Sequence, residues 1–411
     1  MDRLDPILAR TIARRRLLAL AGLAGGGALA GASAGGNVVR LLMNGGPAER
    51  PMAPVFPEKQ AMIVQRVRPP LLETPMAVFD RGVFTPNDQF YVRWHWGDIP
   101  LDVDVAAFRL NVRGAVERPL SLSLAEILRL PRVSLAAVNQ CSGNSRAFFE
   151  PRVPGAQWSH GAMGNAVWEG VSLKAILDQA GIRAGAAAVR FGGLDRPLTD
   201  VDPYRKSLAI DHARAGEAMV AFAMNGEQLP MLNGFPLRLV VPGHYSTYWM
   251  KALNEIEVLT APDEGYWMAR AYKIPTTPGA NVAPGAHDFP TTPINSMVAR
   301  SWITNVSDGA TLPLQPWLPV GGIAMGGDKG VAKVEVSGSG GATWTEARLG
   351  PDEGRYSFRR FDADIPLATG GPLALMSRCT DSAGRVQPMT PNWNPGGYMR
   401  ACVETTHVTI A

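Results

Sequence analysis

The segment IPTTPGANVAPGAHDFPTTP, residues 274–293, separates two parts of the chain that have different sequence patterns. Its five prolines and two glycines in 20 residues remove backbone donors and favour turns, so it cannot form a regular helix or strand. We interpret it as a linker or a long surface loop. A chain of 411 residues is also too long for one ordinary core. We therefore predict two domains, residues 85–285 and 286–411, preceded by a leader and an arm.

Short strand-like runs follow this segment. VAKVEVSGSGGATWTEARL gives two alternating strands around a Gly/Ser turn, and FRRFDADIPL, PLALMSRCTDSAG and CVETTHVTI continue the pattern. This spacing favours an antiparallel β-sandwich of immunoglobulin type for residues 286–411.

In residues 85–285, strand-like runs alternate with two helices. Ser123 and Glu126 form a capping box that begins the first helix. Ser172 caps the second, and Gly181 ends it. The second helix has one apolar face, made of Leu173, Ile176, Leu177 and Ala180. With 44 glycines and 34 prolines to form turns, the predicted fold class is α+β and β-rich.

The N-terminus reads ARRRLLALAGLAGGGALAGASAGG from residue 13. Paired arginines before a weakly apolar, glycine-rich stretch are typical of a twin-arginine export signal, with cleavage expected after Ala34. Five glycines in residues 17–34 make this stretch a poor membrane anchor. We expect residues 1–34 to export the folded protein to the periplasm and leave no stable membrane span. Residues 35–84 are Pro-rich and predicted to form an extended arm over the surface.

The net charge does not indicate a nucleic-acid partner. The formal charge is +4, but the first 34 residues carry five arginines and two aspartates, which leaves the mature chain near +1. No P-loop, helix-turn-helix or Rossmann glycine motif is present in the sequence.

The chain has three cysteines, and their spacing excludes several metal centres. No C-x-x-C pair exists, so neither a c-type haem attachment nor a thioredoxin-like motif is present. Cys379 and Cys402 lie in strand-like segments, where core thiols are favoured over a disulfide. Cys141 differs, because it lies in the small, polar run NQCSGNSR. The residues alone leave it open as a core thiol, a hydrolase nucleophile or a ligand of a soft metal.

Five ordered motifs resemble the sulfite oxidase family of molybdenum enzymes, and in particular its exported bacterial sulfite dehydrogenases. They are FYVRWHW (90–96), QCSGNSR (140–146), WSHGAMGNAVWEGVSL (158–173), AFAMNGEQLPMLNGFPLRLVVPG (221–243) and ARAYKIP (269–275). The resemblance runs from about residue 85 to the C-terminus. It implies a molybdopterin-binding domain in residues 85–285, followed by a dimerisation-type sandwich.

The resemblance also implies a set of site residues. Cys141 would be the protein ligand of molybdenum, with the other sulfurs supplied by a pyranopterin dithiolene. The implied catalytic residues are Arg93, His95, Arg146, Tyr272 and Trp158. The implied pterin contacts are Trp94, His95, Asn233, Arg238 and Lys251. Trp94 and Asn233 depart from the family pattern, which often has Asn and His at these positions.

The implied reaction is oxygen-atom transfer from molybdenum to sulfite, which yields sulfate. Since the sequence contains no haem motif, the electrons are expected to pass to a separate c-type cytochrome. The chain could act alone, as a homodimer or in a heteromer. Two alternatives stay open: another molybdopterin enzyme of the same fold, either a sulfoxide reductase or a sulfane dehydrogenase, and a metal-free exported binding protein.

Overall fold

The computed structural model describes residues 56–411, together with the backbone of Val38–Arg40 and Glu49–Ala53. The predicted export signal, residues 1–34, lies outside the described residues. No helix in the described part of the chain is long and apolar enough to cross a membrane.

An N-terminal sheet contains five strands that pair antiparallel in chain order. They are β1 (Val38–Arg40), β2 (Glu49–Ala53), β3 (Met62–Arg66), β4 (Leu71–Glu73) and β5 (Val92–Arg93). Met62 and Leu72 are fully buried. The prediction of a surface arm is therefore wrong for this part of residues 35–84, because two short apolar runs between the prolines pair as core strands.

Two further five-stranded sheets build the larger domain. The first has the order β11-β10-β15-β6-β7, and only its β15–β6 pair is parallel. Its strands are β6 (Arg109–Gly114), β7 (Leu120–Ser123), β10 (Ala188–Gly193), β11 (Arg205–Ala209) and β15 (Leu253–Leu259). The second has the order β13-β12-β9-β8, with β14 paired to β12. Its strands are β8 (Arg132–Gln140), β9 (Met163–Ser172), β12 (Met219–Met224), β13 (Glu227–Gln228) and β14 (Arg238–Val240).

The helices in the described residues are short. The α-helices are α1 (Leu124–Ile127), α2 (Leu173–Ala180), α3 (Ile210–Arg214) and α4 (Tyr266–Ala269). The 3-10 turns are Met76–Val78, Asn87–Gln89, Arg146–Phe148, Met231–Asn233, Ser246–Tyr248 and Pro278–Ala280. The capping box of α1 is confirmed, as is the buried apolar face of α2. Ser172 occupies the cap position of α2, but its side chain makes no capping hydrogen bond.

The C-terminal domain is a sandwich of a four-stranded and a five-stranded sheet around its own apolar core. The four-stranded sheet contains β18 (Arg300–Ile303), β20 (Trp317–Met325), β23 (Arg348–Leu349) and β24 (Arg359–Pro366). The other contains β19 (Ala310–Leu312), β21 (Val331–Ser337), β22 (Thr345–Glu346), β25 (Gly371–Asp381) and β26 (Thr405–Ile410). The predicted β-rich fold class with a C-terminal sandwich is confirmed, whereas the predicted domain bounds and the immunoglobulin type of the sandwich stay predictions.

The segment 274–293 forms a long loop with paired ends. The prediction of no regular strand is wrong at its two ends, which form strands β16 (Lys273–Pro275) and β17 (Thr291–Pro293) and pair antiparallel. The proline- and glycine-rich residues between them contain only a single 3-10 turn.

Candidate active site

A cleft opens beside the N-terminal sheet and the carboxyl end of β8. Eight of the residues singled out by sequence line it: Arg93, Trp94, His95, Cys141, Asn233, Arg238, Lys251 and Tyr272. These residues come from segments as far apart as β5 and the turn before β16, so tertiary folding alone brings them together.

Cys141 directly follows β8 and lines the cleft. Its backbone N–H donates to the Ala162 carbonyl at 2.9 Å, and its own carbonyl accepts from the Asn144 N–H at 3.0 Å. The residue is 6% exposed. In the described part of the chain, no three His, Cys, Asp or Glu side chains converge on one point. A metal at Cys141 would therefore need most of its ligands from an organic group.

A buried carboxylate fixes the segment that faces the Cys141 loop. Glu73, at the end of β4, accepts hydrogen bonds from the backbone N–H groups of Ser159 at 3.1 Å and Gly161 at 2.9 Å. Asn144 then connects this segment to the loop, because its Oδ1 accepts from the Ala162 N–H at 3.0 Å. These hydrogen bonds within the protein hold the loop that carries the thiol.

Three basic side chains dominate the charge of the cleft. Arg93, Arg238 and Lys251 line it, and Asp195 is the one acidic residue among its lining residues. Burial and the nearby Arg238 lower the pKa of Lys251. Burial also lowers the pKa of Arg238, to about 10. Desolvated cations that repel one another are stabilised by a bound anion.

Several buried polar atoms at the cleft lack a hydrogen-bond partner within the described residues. They are Arg93 Nη1, Asn139 Nδ2, Arg238 Nε and Thr247 Oγ1. Three of them are nitrogen donors, and leaving a buried donor unpaired costs about 1–3 kcal/mol. An anionic ligand rich in oxygen and nitrogen acceptors would satisfy them. The phosphate and pterin ring of a molybdopterin fit this donor set, and the Cys141 thiol fits its metal.

His95 and Tyr272 form a hydrogen-bonded pair at the cleft. His95 Nε2 lies 2.6 Å from the Tyr272 hydroxyl. Burial, and then the charges of Arg93 and Lys251, hold the pKa of His95 well below its usual value. The imidazole is therefore neutral at pH 7, and the tautomer with a free Nε2 accepts the hydroxyl proton. Tyr204 stacks on the His95 ring at a centroid distance of 3.4 Å and fixes its orientation.

Arg146 and Trp158 are not brought to the wall of this cleft. The Arg146 guanidinium donates to the carbonyls of Ala156 at 3.1 Å and Gly396 at 3.1 Å, and it lies over the Tyr398 ring at 5.1 Å. Trp158 is fully buried in the core. Tyr398 stacks against Tyr272 at 5.6 Å. Arg146 thus lies behind an aromatic layer, and the predicted substrate roles of Arg146 and Trp158 stay predictions.

Sequence reasoning missed four residues that build this site: Lys59, Glu73, Asp195 and Tyr204. None lies in a motif that had been singled out. Lys59 and Glu73 were assigned to the arm, although a lysine and a glutamate beside apolar strands could have indicated buried polar groups. Asp195 and Tyr204 carry no local signal, since they reach the cleft only through the pairing of β10 and β11.

Comparisons with known protein families agree with this domain order. Residues 96–267 match the family described as oxidoreductase molybdopterin binding domain. Residues 291–410 match the Mo-co oxidoreductase dimerisation domain.

Relatives of known identity are similar over most of the chain. The sulfite oxidase of Gallus gallus is 33% identical over 372 residues, which cover 86% of this chain and 79% of the chicken protein. The mitochondrial sulfite oxidase of Homo sapiens is 33% identical over 368 residues, or 85% of this chain. The chain spans 66% of the length of the human protein.

A solved structure shares the architecture. The crystal structure of the sulfane dehydrogenase SoxCD from Paracoccus pantotrophus superposes with a TM-score of 0.69 at 26% sequence identity. The match covers 82% of this chain and 83% of that one.

Proposed function

Because the chain belongs to the sulfite oxidase family, we propose that it oxidises sulfite to sulfate at a molybdenum–molybdopterin centre bound through Cys141. The electrons then pass to a separate c-type cytochrome. The observation that carries this proposal is the unpaired Nη1 of Arg93, which is buried in the same cleft as the Cys141 thiol. A fixed guanidinium donor beside a metal-ligating thiol fits a small oxyanion substrate.

The bound cofactor would supply the oxygen-atom transfer and accept the two electrons from sulfite. The chain's own residues would bind and orient the cofactor and the sulfite. Arg93 would donate to the sulfite oxygens, since its guanidinium stays charged at any physiological pH. Arg238 and Lys251 would hold the phosphate end of the pterin.

The His95–Tyr272 pair would shape the polar wall of the substrate position. In the tautomer of neutral His95 that carries its proton on Nδ1, Nε2 would accept the Tyr272 proton. The hydroxyl oxygen of Tyr272 is thereby left as an acceptor beside Arg93. Burial is the main reason that the pKa of Tyr272 is raised, so the phenol stays protonated.

The similarity to the Paracoccus sulfane dehydrogenase supports a second candidate, oxidation of sulfur carried on a thiol. A substrate of that kind is larger than sulfite and needs space beside Arg93. The two candidate functions differ in the substrate that reduces the enzyme. Assays with each substrate on one preparation therefore distinguish them.

The deciding experiment measures sulfite-dependent reduction of ferricyanide and cytochrome c by protein made in a host that synthesises molybdopterin. Molybdenum content is determined on the same sample. We expect about one molybdenum per chain and turnover with sulfite. Loaded protein that sulfite does not reduce, but a thiol-bound sulfane sulfur does, would assign the second function. Loaded protein that reduces methionine sulfoxide from an artificial donor would assign a reductase.

The first prediction concerns the metal ligand. Cys141→Ser should abolish turnover and lower the molybdenum content at least tenfold, because a hydroxyl is a poor substitute for a thiolate on a soft metal. Cys379→Ser is the matched control, since this buried thiol lies in the sandwich. Elemental analysis and the sulfite assay check both variants. Full activity in Cys141→Ser would refute the ligand assignment.

Export and assembly complete the proposal. The predicted twin-arginine leader supports transport of the folded, loaded protein to the periplasm, where a cytochrome acceptor would be available. The match of residues 291–410 to a dimerisation domain supports a homodimer. Mass determination of the mature protein by light scattering tests this assembly.

A further inference from the structure

Lys59 is a buried lysine that has no carboxylate partner within the described residues. It is 7% exposed, and its Nζ donates to the Asn87 carbonyl at 2.6 Å, the Phe90 carbonyl at 2.9 Å and Asn233 Oδ1 at 2.5 Å. Lysine is almost never buried unless its charge is paired, because desolvating an ammonium costs several kcal/mol. Burial is the main reason that the pKa of Lys59 is lowered to about 7, and the charges of Asp88 and Glu58 oppose this shift only in part.

The three acceptors of Lys59 belong to two different segments that lead into cleft residues. The Asn87 and Phe90 carbonyls lie in the turn that leads directly into β5, which carries Arg93. Asn233 lies in the 3-10 turn that precedes Arg238. One ammonium group therefore connects the segment that positions Arg93 to the segment that positions Arg238.

Asn233 completes this connection. Its side-chain Nδ2 donates to the Tyr91 carbonyl at 3.1 Å, while its Oδ1 accepts from Lys59. Its backbone carbonyl accepts from Arg238 Nη1 at 2.8 Å. Both polar groups of the Asn233 side chain are thus used inside the protein. Asn233 lines the cleft, but it acts as a link between Lys59, Tyr91 and Arg238.

We propose that Lys59 is a positioning residue that sets the separation of the Arg93 and Arg238 sides of the cleft for the phosphate-bearing pterin. The proposal rests on the proposed function and adds a residue that touches neither metal nor substrate. A bound phosphate would also favour the ammonium form of Lys59, because opposite charges attract strongly in a weakly screened, buried site. Lys59 thereby combines three short hydrogen bonds with an amine that a nearby anion would hold in its charged form.

The test measures cofactor retention in two variants, Lys59→Met and Lys59→Gln. Met keeps the length of the side chain and removes its donors and charge, whereas Gln keeps a donor and removes the charge. Lys174→Met is the matched control, because Lys174 is an exposed residue of α2 that pairs with Asp178. Each protein is produced in a host that makes molybdopterin, and the folded, monodisperse fraction is isolated.

Molybdenum and pterin per folded chain are the deciding readouts. We expect at least a fivefold loss in Lys59→Met, a smaller loss in Lys59→Gln and wild-type content in Lys174→Met. The melting temperature of the metal-free protein should change little, because removing a buried charge offsets the lost hydrogen bonds. A residue that only supports folding would lower this temperature and leave the folded fraction fully loaded.

Two outcomes would overturn the proposal. One is wild-type cofactor content in folded Lys59→Met, and the other is the absence of a folded fraction in both variants, which would assign Lys59 to folding. These outcomes are separate from those of the sulfite assay. Wild-type protein that holds molybdenum but does not oxidise sulfite would refute the proposed substrate and leave the Lys59 test valid, because retention requires no turnover.

Discussion

At the scale of single residues, the site depends on which charged groups keep an unsatisfied donor. Arg93 and Arg146 were equivalent candidates, as arginines in two neighbouring motifs of the resemblance. In the structure, Arg93 lines the cleft with a free Nη1, whereas Arg146 donates to two backbone carbonyls beneath Tyr398. A guanidinium that already has acceptors gains less from binding an anion. We therefore expect Arg93 to contribute more to substrate affinity.

The second prediction is a kinetic comparison of these arginines. Arg93→Gln should raise the KM for sulfite at least tenfold, equivalent to about 1.4 kcal/mol, because a charge-assisted donor is lost. Arg81→Gln is the control, since Arg81 is exposed and donates to Gln89, away from the residues that line the cleft. Steady-state assays measure all variants. An unchanged KM in Arg93→Gln would exclude it from substrate binding, and an unchanged KM in Arg146→Gln would remove that residue from the substrate pocket.

At the scale of elements, the loop that carries Cys141 is held against the segment before β9. The close contact depends on Gly161. A Cβ on this residue would lie 1.8 Å from the Thr74 carbonyl oxygen, a backbone atom that cannot move aside cheaply. Glu73 ends β4 and Thr74 directly follows it, so this strand fixes the position of the segment opposite Cys141. The position of the Cys141 thiol therefore depends on the pairing of β4.

The third prediction follows from this contact. Gly161→Ala should destabilise the protein by about 1–3 kcal/mol and lower its molybdenum content, because the segment must move away from β4. Gly82→Ala is the matched control, since nothing lies within 4 Å of a Cβ at that position. Chemical denaturation and elemental analysis provide the measurements. Wild-type stability in Gly161→Ala would show that the contact relaxes without cost.

At the scale of the whole molecule, the sandwich contributes directly to the catalytic domain. Arg300 of β18 is buried and donates to Ser145 Oγ in the Cys141 loop at 3.1 Å. It also pairs with Glu404 at 2.9 Å. A second contact between the domains is the isolated antiparallel β-bridge between His244 and Ser296. The His244 ring also packs edge-to-face against the His212 ring. Polar contacts, as well as apolar packing, therefore join the two domains.

The fourth prediction is acid sensitivity at this interface. Burial, and then His212, lower the pKa of His244 from 6.5 to about 4, so its imidazole is neutral in the fold. Between pH 6.5 and about 4 the unfolded chain binds a proton that the folded chain does not. Stability therefore falls as pH falls through this window, by up to about 3 kcal/mol from this residue.

His244→Gln should make this loss shallower, because an amide does not titrate. The free energy of unfolding, measured by denaturant titration at several pH values, gives the slope. His287→Gln is the control, since His287 is exposed in the loop between β16 and β17. Equal slopes in His244→Gln and the wild type would place the acid sensitivity elsewhere.

The sequence by itself determined the features that depend on near neighbours. The prolines of residues 274–293 separated the domains, Ser123 and Glu126 capped α1, and the run around Cys141 distinguished that thiol from two core cysteines. These signals are local, because capping, turn and motif residues act on atoms a few positions away.

Only the tertiary structure decided which polar groups meet across the fold. Lys59 reaches Asn233 over 174 positions, and Glu73 reaches Ser159 over 86. No local pattern encodes such a partner, because the free energy of a buried polar group depends on acceptors that other strands supply. For the same reason, the tertiary arrangement, and not the motif, determines the contacts of the two arginines. Arg93 Nη1 has no acceptor within the described residues, whereas Arg146 donates to two backbone carbonyls.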